Sequence, residues 1–424
     1  MERLISACGL FVLVGLAWLM SSSKSRVSWR LVFSGIGLQV LLATLILWTT
    51  PGRFIFESLG LFFNSILSFV EEGTGFVLGI QPFPGDPPMP PRAALLRTFA
   101  FGVLPTVIFF SSLMSILYYV GLMQRVVIAM AWVMQRVLGT SGAESLAAAA
   151  NVFVGHTEAP LVVRPFIPRM TQSELNALMV GGFATITGGL LAVFVGMGID
   201  AAHLLTASVI SAPAALVVAK VMQPEMETPE TLGRVEIQLE ENSVNVIDAA
   251  ANGASEGMKL ALNIAAMLIA FLALLAMFDA FIGWTGAQFG YVDQSGRPVW
   301  TLAQALGYLF SPVAFSMGIE LSDCLKAGEL LGLKMVTNEV VAFEQLSTWL
   351  KDPDITLSAR TEYILTYALS GFSNFGAIGI QLGGIGSLAP NRRRDLARFG
   401  LRAMLGGAIA CCMTGCIAGV LLPK

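Results

Sequence analysis

The chain has 424 residues, 55% of them hydrophobic and only 12% charged, with a formal net charge of −3. A soluble domain carries about a quarter charged residues because its surface faces water, so most of this surface faces something else, and lipid is the simplest choice. The near-neutral charge argues against a nucleic-acid partner. Two histidines, His156 and His203, leave little material for a metal centre.

Apolar runs near the roughly 20 residues that span a bilayer fall near 4–20, 31–49, 95–121, 174–197, 203–222, 257–283, 360–386 and 400–422. The first is a retained helix rather than a signal peptide. Glu2 sits beside Arg3 where a basic stretch belongs, and no small-x-small cleavage site follows. The connection 24–30 carries Lys24, Arg26 and Arg30, and the connection 391–402 carries Arg392, Arg393, Arg394, Arg398 and Arg402. The positive-inside rule puts both in the cytoplasm. Eight crossings then leave both termini outside and the Glu-rich stretch 223–250 inside, provided that the apolar stretches 141–170 and 321–348 enter the membrane and return on the same side.

The remaining elements are short. Segments 54–71, 123–138 and 301–317 read as amphipathic helices at the interfaces, and 81–92, with six prolines, as an extended loop. The expected architecture is an all-α polytopic membrane protein. Residues 1–94 are N-terminal scaffold, 95–222 and 257–424 are two repeats, and 223–256 is a cytoplasmic linker. The five cysteines (Cys8, Cys324, Cys411, Cys412, Cys416) show no disulfide spacing and read as small buried hydrophobes.

An internal repeat is the most informative pattern. Gly182-Phe183-Ala184-Thr185 matches Gly371-Phe372-Ser373-Asn374, and upstream of each lies a polar-Glu pair, Thr157-Glu158 and Asn338-Glu339. Each half has a long helix, an interfacial helix, a re-entrant segment, a Gly-interrupted helix and a final helix. That count gives the halves opposite orientations, the inverted-repeat plan of secondary transporters, whose site lies between the repeats near the midplane.

Glu158 and Glu339 sit in apolar surroundings, where an ionisable group costs about 2.5–3.5 kcal/mol and marks a functional site. Gly155 and Pro160 break the helix around Glu158, freeing backbone groups that are tolerated at depth only where they line a cavity or bind something. A carboxylate in a dry pocket suits a neutral, hydroxyl-rich solute; the competing reading pairs Glu339 with Lys334. Asn151, Thr157, Thr185 and Thr187 offer the hard oxygens a small cation takes, although back-bonding to a helix carbonyl is the ordinary role of such threonines. An intramembrane enzyme using His156 or Glu158 is a further alternative. The H-x-E of His156–Glu158 lacks the P-C-x-x-C partner of zinc deaminases, and no P-loop is present.

Long stretches in order then resemble the concentrative nucleoside transporter family: NVFVGHTEAPLVVRPF at 151–166, SAPAALVVAK at 211–220, NVIDAAANGASEG at 245–257, TNEVVA at 337–342, GFSNFGAIGI at 371–380 and LAPNRRRDLARFGLRAM at 388–404. The helical plan, where an outer-membrane protein would show alternating strands, points to the cell inner membrane; the resemblance implies a homotrimer, each protomer moving nucleoside with sodium by elevator-type alternating access. It places Gly155, His156, Thr157, Glu158 and Leu190 on the nucleobase, and Glu339, Phe372, Asn374 and Ala377 on the ribose. It places Asn151, Val154, Thr157, Thr185 and Ile186 around sodium. No cofactor is implied beyond that coupling ion, and proton coupling on the same fold is the alternative. His156 stands where many relatives have Gln, and Ala377 where some have a ribose-contacting Ser.

Overall fold

The computed structural model describes residues 1–77, 98–156, 158–233, 243–291 and 300–421, and within them the regular structure is helical, without strands. The proline-rich loop 81–92, Thr157 and much of the linker lie outside the described residues. The N-terminal part holds α1 (Glu2–Leu19), α2 (Trp29–Trp48) and α3 (Thr50–Val77), followed by α4 (Leu104–Tyr119) and α5 (Leu122–Leu138). The first hairpin comprises α6 (Gly142–Ala150) and the short α7 (Ala159–Val162); α8 (Gln172–Ala184) and α9 (Gly188–Gly196) form one broken helix, and α10 (Ala201–Met222) closes this half. The second half runs α11 (Val246–Gln288), α12 (Leu302–Ser316), the hairpin α13 (Cys324–Val336) and α14 (Glu339–Lys351), the broken helix α15 (Ala359–Leu369) and α16 (Phe375–Leu388), and α17 (Arg393–Leu421).

Seven of these spans are long and apolar enough to cross a membrane, counting α8 with α9 as one. The stretch 360–386, expected as one crossing, folds as the two short helices α15 and α16 and is not among these seven, because Arg360 and Glu362 in its first half and the non-helical stretch 370–374 keep it from reading as one apolar helix. Three other expectations move. The linker expected to reach 256 gives way to helix at Val246, where Asn245 caps α11 by accepting from the Asp248 N–H at 2.9 Å. The arginine-rich connection 391–402 is helical from Arg393, so most of its charges ride on α17. The interfacial stretch 54–71 is the middle of α3, which starts immediately after α2 and runs for 28 residues.

Burial sorts the helices. The apolar windows of α8–α9 and of α10 are each 89% buried and that of α17 78%, whereas that of α11 is only 11% buried. A central bundle therefore carries both breaks, and α11 lies outside it against α4. Small residues let helices approach where no hydrophobic drive separates lipid from protein. A Cβ on Gly407 of α17 would lie 2.3 Å from Cβ of Phe183 at the end of α8, and one on Gly257 of α11 would lie 2.7 Å from Cα of Ile108 in α4.

Buried charges fix the frame. Ser141 and Thr171 open α6 and α8 with capping boxes closed by Glu144 and Glu174. Lys220 of α10 reaches Glu144 at 2.7 Å, Glu225 at 3.1 Å and the Ser173 hydroxyl at 3.0 Å, and the Ser141 hydroxyl donates to Glu174 at 2.5 Å. The start of the first hairpin, the start of its broken helix and the end of α10 thus share one cation. In the second half, Arg360 donates to the Gly318 carbonyl (3.0 Å), the Ser6 hydroxyl (2.9 Å) and the Gly419 carbonyl (2.6 Å), tying α1, α12, α15 and α17 together.

Removing one partner of a buried pair strands the other, at about 3–5 kcal/mol. Lys220→Met is therefore expected to lower the thermal unfolding midpoint of the purified protein far more than Lys24→Met, at an exposed site; equal midpoints would show that Lys220 holds nothing in place.

Candidate functional site

The site is built from places where helices stop. In the first hairpin the chain leaves α6 at Asn151 and turns through Gly155, whose N–H donates to the Glu158 carboxylate at 3.3 Å. Pro160 sits in the first turn of α7, where its missing N–H costs nothing. In the second hairpin Asn338 caps α14 by accepting from the Val341 N–H at 2.9 Å, and Glu339 occupies the positive end of that helix.

The broken helices are finished by polar side chains as well. Thr187 accepts from the Leu190 N–H at 3.1 Å to start α9, and the Gly188 N–H donates to the Phe153 carbonyl at 3.1 Å, fastening the break to the first hairpin. Asn374 starts α16 by accepting from the Ala377 N–H at 2.8 Å, while its amide nitrogen donates to Glu339 at 3.0 Å. One side chain thereby caps a helix and aims a carboxylate. The sequence match pairs Thr185 with Asn374, yet the caps pair Thr187 with Asn374, because α8 stays helical through Ala184 whereas α15 already stops at Leu369, before the matching Gly371.

The two breaks touch. A Cβ on Gly371 would lie 2.9 Å from the Phe183 carbonyl oxygen and 2.5 Å from the sulfur of Cys411. The Cys411 thiol in turn points at the Ala184 and Ser370 carbonyls (3.6 and 3.7 Å), the ends of both interrupted helices. Lys334 donates to the Ala368 carbonyl at 2.9 Å. The suggested Lys334–Glu339 ion pair is not formed, because the cation closes a helix terminus instead.

Of the predicted residues, His156 and Phe372 meet, with ring centroids 4.5 Å apart and edge on, which joins the first hairpin to the second break. His156 is 7% exposed, and neither ring nitrogen has a hydrogen-bond partner. Asn151 is 1% exposed with both amide atoms unpartnered. Buried polar groups are ordinarily satisfied, which makes these atoms candidates for binding. Glu339, Asn374 and Ala377 form one connected group. Glu158 and Val154 instead line a cavity of about 550 Å³ with Tyr118, Thr187 and Glu256. Glu158 is exposed in it while Glu339 is sealed, so the paired carboxylates of the repeat sit in unlike surroundings.

Leu190 and Ile186 are buried beside the first break, and the Thr185 hydroxyl donates to the Gly181 carbonyl at 2.9 Å, leaving its oxygen lone pairs available. Thr157 lies outside the described residues. Arg164 lines the same cavity as Glu158. Among the described residues no three of His, Cys, Asp and Glu gather as metal ligands would. Sequence reasoning missed Cys411 and Gln381; the latter had a signal, since it stands seven residues after Asn374 and so on the same face of a helix.

A family model described as the Na+ dependent nucleoside transporter C-terminus matches residues 203–419, its N-terminal counterpart matches 8–80, and a nucleoside recognition model matches 100–201. The chain belongs to the sodium-dependent, concentrative nucleoside transporter family. Solute carrier family 28 member 3 of Rattus norvegicus is 43% identical over 99% of this chain, and sodium/nucleoside cotransporter 1 of the same species is 42% identical. The chain spans 59% and 64% of those two relatives. CNTnw in an inward-facing substrate-bound state is 39% identical, with a TM-score of 0.89 over 99% of this chain and 98% of that one. A variant of CNTnw in an outward-facing state reaches a TM-score of 0.91 at 38% identity, covering 99% and 98% of the two chains. The family is one of transporters, not enzymes, and its helical membrane fold is this one.

Asn374→Ala removes a cap, typically about 1 kcal/mol, and a hydrogen bond to a carboxylate, about 1.5–3 kcal/mol. A loss of about 2–4 kcal/mol in unfolding free energy is expected, and a loss under about 1 kcal/mol would mean that Asn374 does not hold Glu339.

Proposed function

We propose that the protein is a secondary active symporter that imports nucleosides, driven by a sodium gradient. The observation that carries this reading is the meeting of two helix breaks and two hairpins around buried polar side chains without partners, in a chain of this family. In this reading the nucleobase lies against Gly155, His156, Thr157, Glu158 and Leu190. The ribose hydroxyls donate to Glu339, with Phe372, Asn374 and Ala377 around the sugar. A carboxylate already oriented by Asn374 loses little on accepting such donors, and charge-assisted hydrogen bonds are the strong ones.

Sodium sits among oxygens at the end of α6 and the first break: the side chains of Asn151, Thr157 and Thr185 and the carbonyls of Val154 and Ile186. Asn151 supports this placement, since its side-chain oxygen is buried and has no partner. The ion and the nucleobase then share one hairpin, so each organises the place where the other binds, a reciprocal coupling by linkage.

The division between the packed bundle and the α4–α11 pair supports an elevator movement of the bundle past a fixed scaffold. The exposed apolar residues of α11, among them Ile269, Phe281 and Trp284, suit lipid and the neighbouring protomers of a homotrimer. The basic connections 24–30 and 391–402, read by the positive-inside rule, support a cell-inner-membrane protein with both termini on the periplasmic side.

The deciding experiment is uptake of radiolabelled uridine and adenosine into proteoliposomes with an inward sodium gradient or with choline instead. Accumulation above equilibrium only with sodium is expected, and equal uptake in both would discard sodium coupling in favour of a proton gradient. Thr185→Ala is expected to raise the sodium concentration for half-maximal uptake by about tenfold, the worth of one lost charge-assisted contact of about 1.4 kcal/mol. Unchanged sodium dependence would remove Thr185 from the ion site.

A further inference from the structure

Along α16 the residues Asn374, Ala377 and Gln381 are all buried, while Phe375, Gly379 and Ile380 between them are exposed. Spacings of three, four and seven put the buried three on one stripe, the stripe whose first two members belong to the proposed nucleoside site. Gln381 is 1% exposed. Its amide nitrogen donates to the Met179 carbonyl of α8 at 3.2 Å, and its amide oxygen has no partner. This orientation is chemically forced: a carbonyl only accepts, so the nitrogen faces Met179 and the oxygen faces away.

Gly182 locates the amide. A Cβ on Gly182 would lie 2.7 Å from Gln381 Nε2 and 2.7 Å from Cβ of His156. The amide of the second repeat and the base of the His156 side chain therefore flank the same bare patch at the end of α8. A buried amide oxygen without a donor carries a desolvation cost, and it belongs to an amide that flanks Gly182 together with His156, whose two ring nitrogens are also unpartnered.

We propose that Gln381 is a specificity-determining residue of this site, whose side-chain oxygen accepts a hydrogen bond from the exocyclic amino group of a nucleobase lying against His156. The inference rests on the nucleoside-transport reading and extends it, because it brings the second repeat to the base as well as to the ribose. Asn374 and Gln381, two turns apart on one helix, then contact the two ends of a single substrate.

The test compares adenosine with purine riboside, which differs by the absence of the 6-amino group, using KM for sodium-driven uptake. The wild type is expected to favour adenosine by about five- to tenfold, the worth of one net hydrogen bond. Gln381→Met is expected to abolish that preference. Gln381→Glu, whose protonated form offers the same donor and acceptor, is expected to keep it. If the Met variant does not reach the membrane, Gln381→Asn, which withdraws the amide by one methylene, is expected to reduce the ratio. A wild type that treats the two nucleosides alike, or a variant that weakens both equally, overturns the inference and leaves Gln381 a structural link to Met179. Failure of the wild type to take up any nucleoside overturns the transport reading instead, and this inference with it.

Discussion

Hydrocarbon offers no partner to a free backbone N–H or C=O, so a helix that stops inside a membrane must be finished by the protein itself. The protein stops helices at four places around one point, and everything else follows from how those ends are satisfied. Thr187, Asn338 and Asn374 cap the starts. Lys334 and Cys411 meet carbonyls where helices end. Among the polar atoms left unpartnered there are the side chains of Asn151 and His156, the amide nitrogen of Asn338, the hydroxyl of Ser373 and one face of Gln381, all buried. A site of this kind needs no loop to reach in from water, because the interruptions of the helices supply both its donors and its acceptors.

The same constraint explains the buried charges further out. Hairpins that enter and leave on one side have to be pinned at their bases, or the tips would drift. Lys220 pins the first through Glu144, which closes one capping box, and Glu225, which accepts from the Thr171 hydroxyl of the other. Arg360 pins the second half by gathering carbonyls and a hydroxyl from three elements. Arg402 does similar service at the other end of α17, donating to the carbonyls of Met20 and Met222. Guanidinium groups suit this work because their fixed fork of donors meets several acceptors at once.

Much of this was legible beforehand, and the reasons are specific. Apolar runs gave the spans, the two polar-Glu pairs gave the hairpins, and the Gly-Phe repeats gave the breaks, because each is a local pattern with a local cause. The partner of Lys334 was not legible, since Ala368 is 34 residues away and nothing in the chain marks which carbonyl a broken helix leaves free. Which threonine caps α9 was not legible for a related reason: Thr185 and Thr187 are chemically equal, and only the backbone path makes Thr187 the cap. The start of α11 at Val246 fell inside a stretch read as linker because its first turns are small and polar.

One element stands apart from this economy of short pieces. At 43 residues, α11 is about 65 Å long by the usual rise per residue, twice the roughly 30 Å of a hydrocarbon core. Such a helix must lie steeply oblique or project well beyond the lipid, and its fit to the membrane then depends on how thick that membrane is. Hydrophobic mismatch along a helix this long and this exposed makes bilayer thickness a control variable for the protein, acting on the slope of the wall rather than on the chemistry of the site.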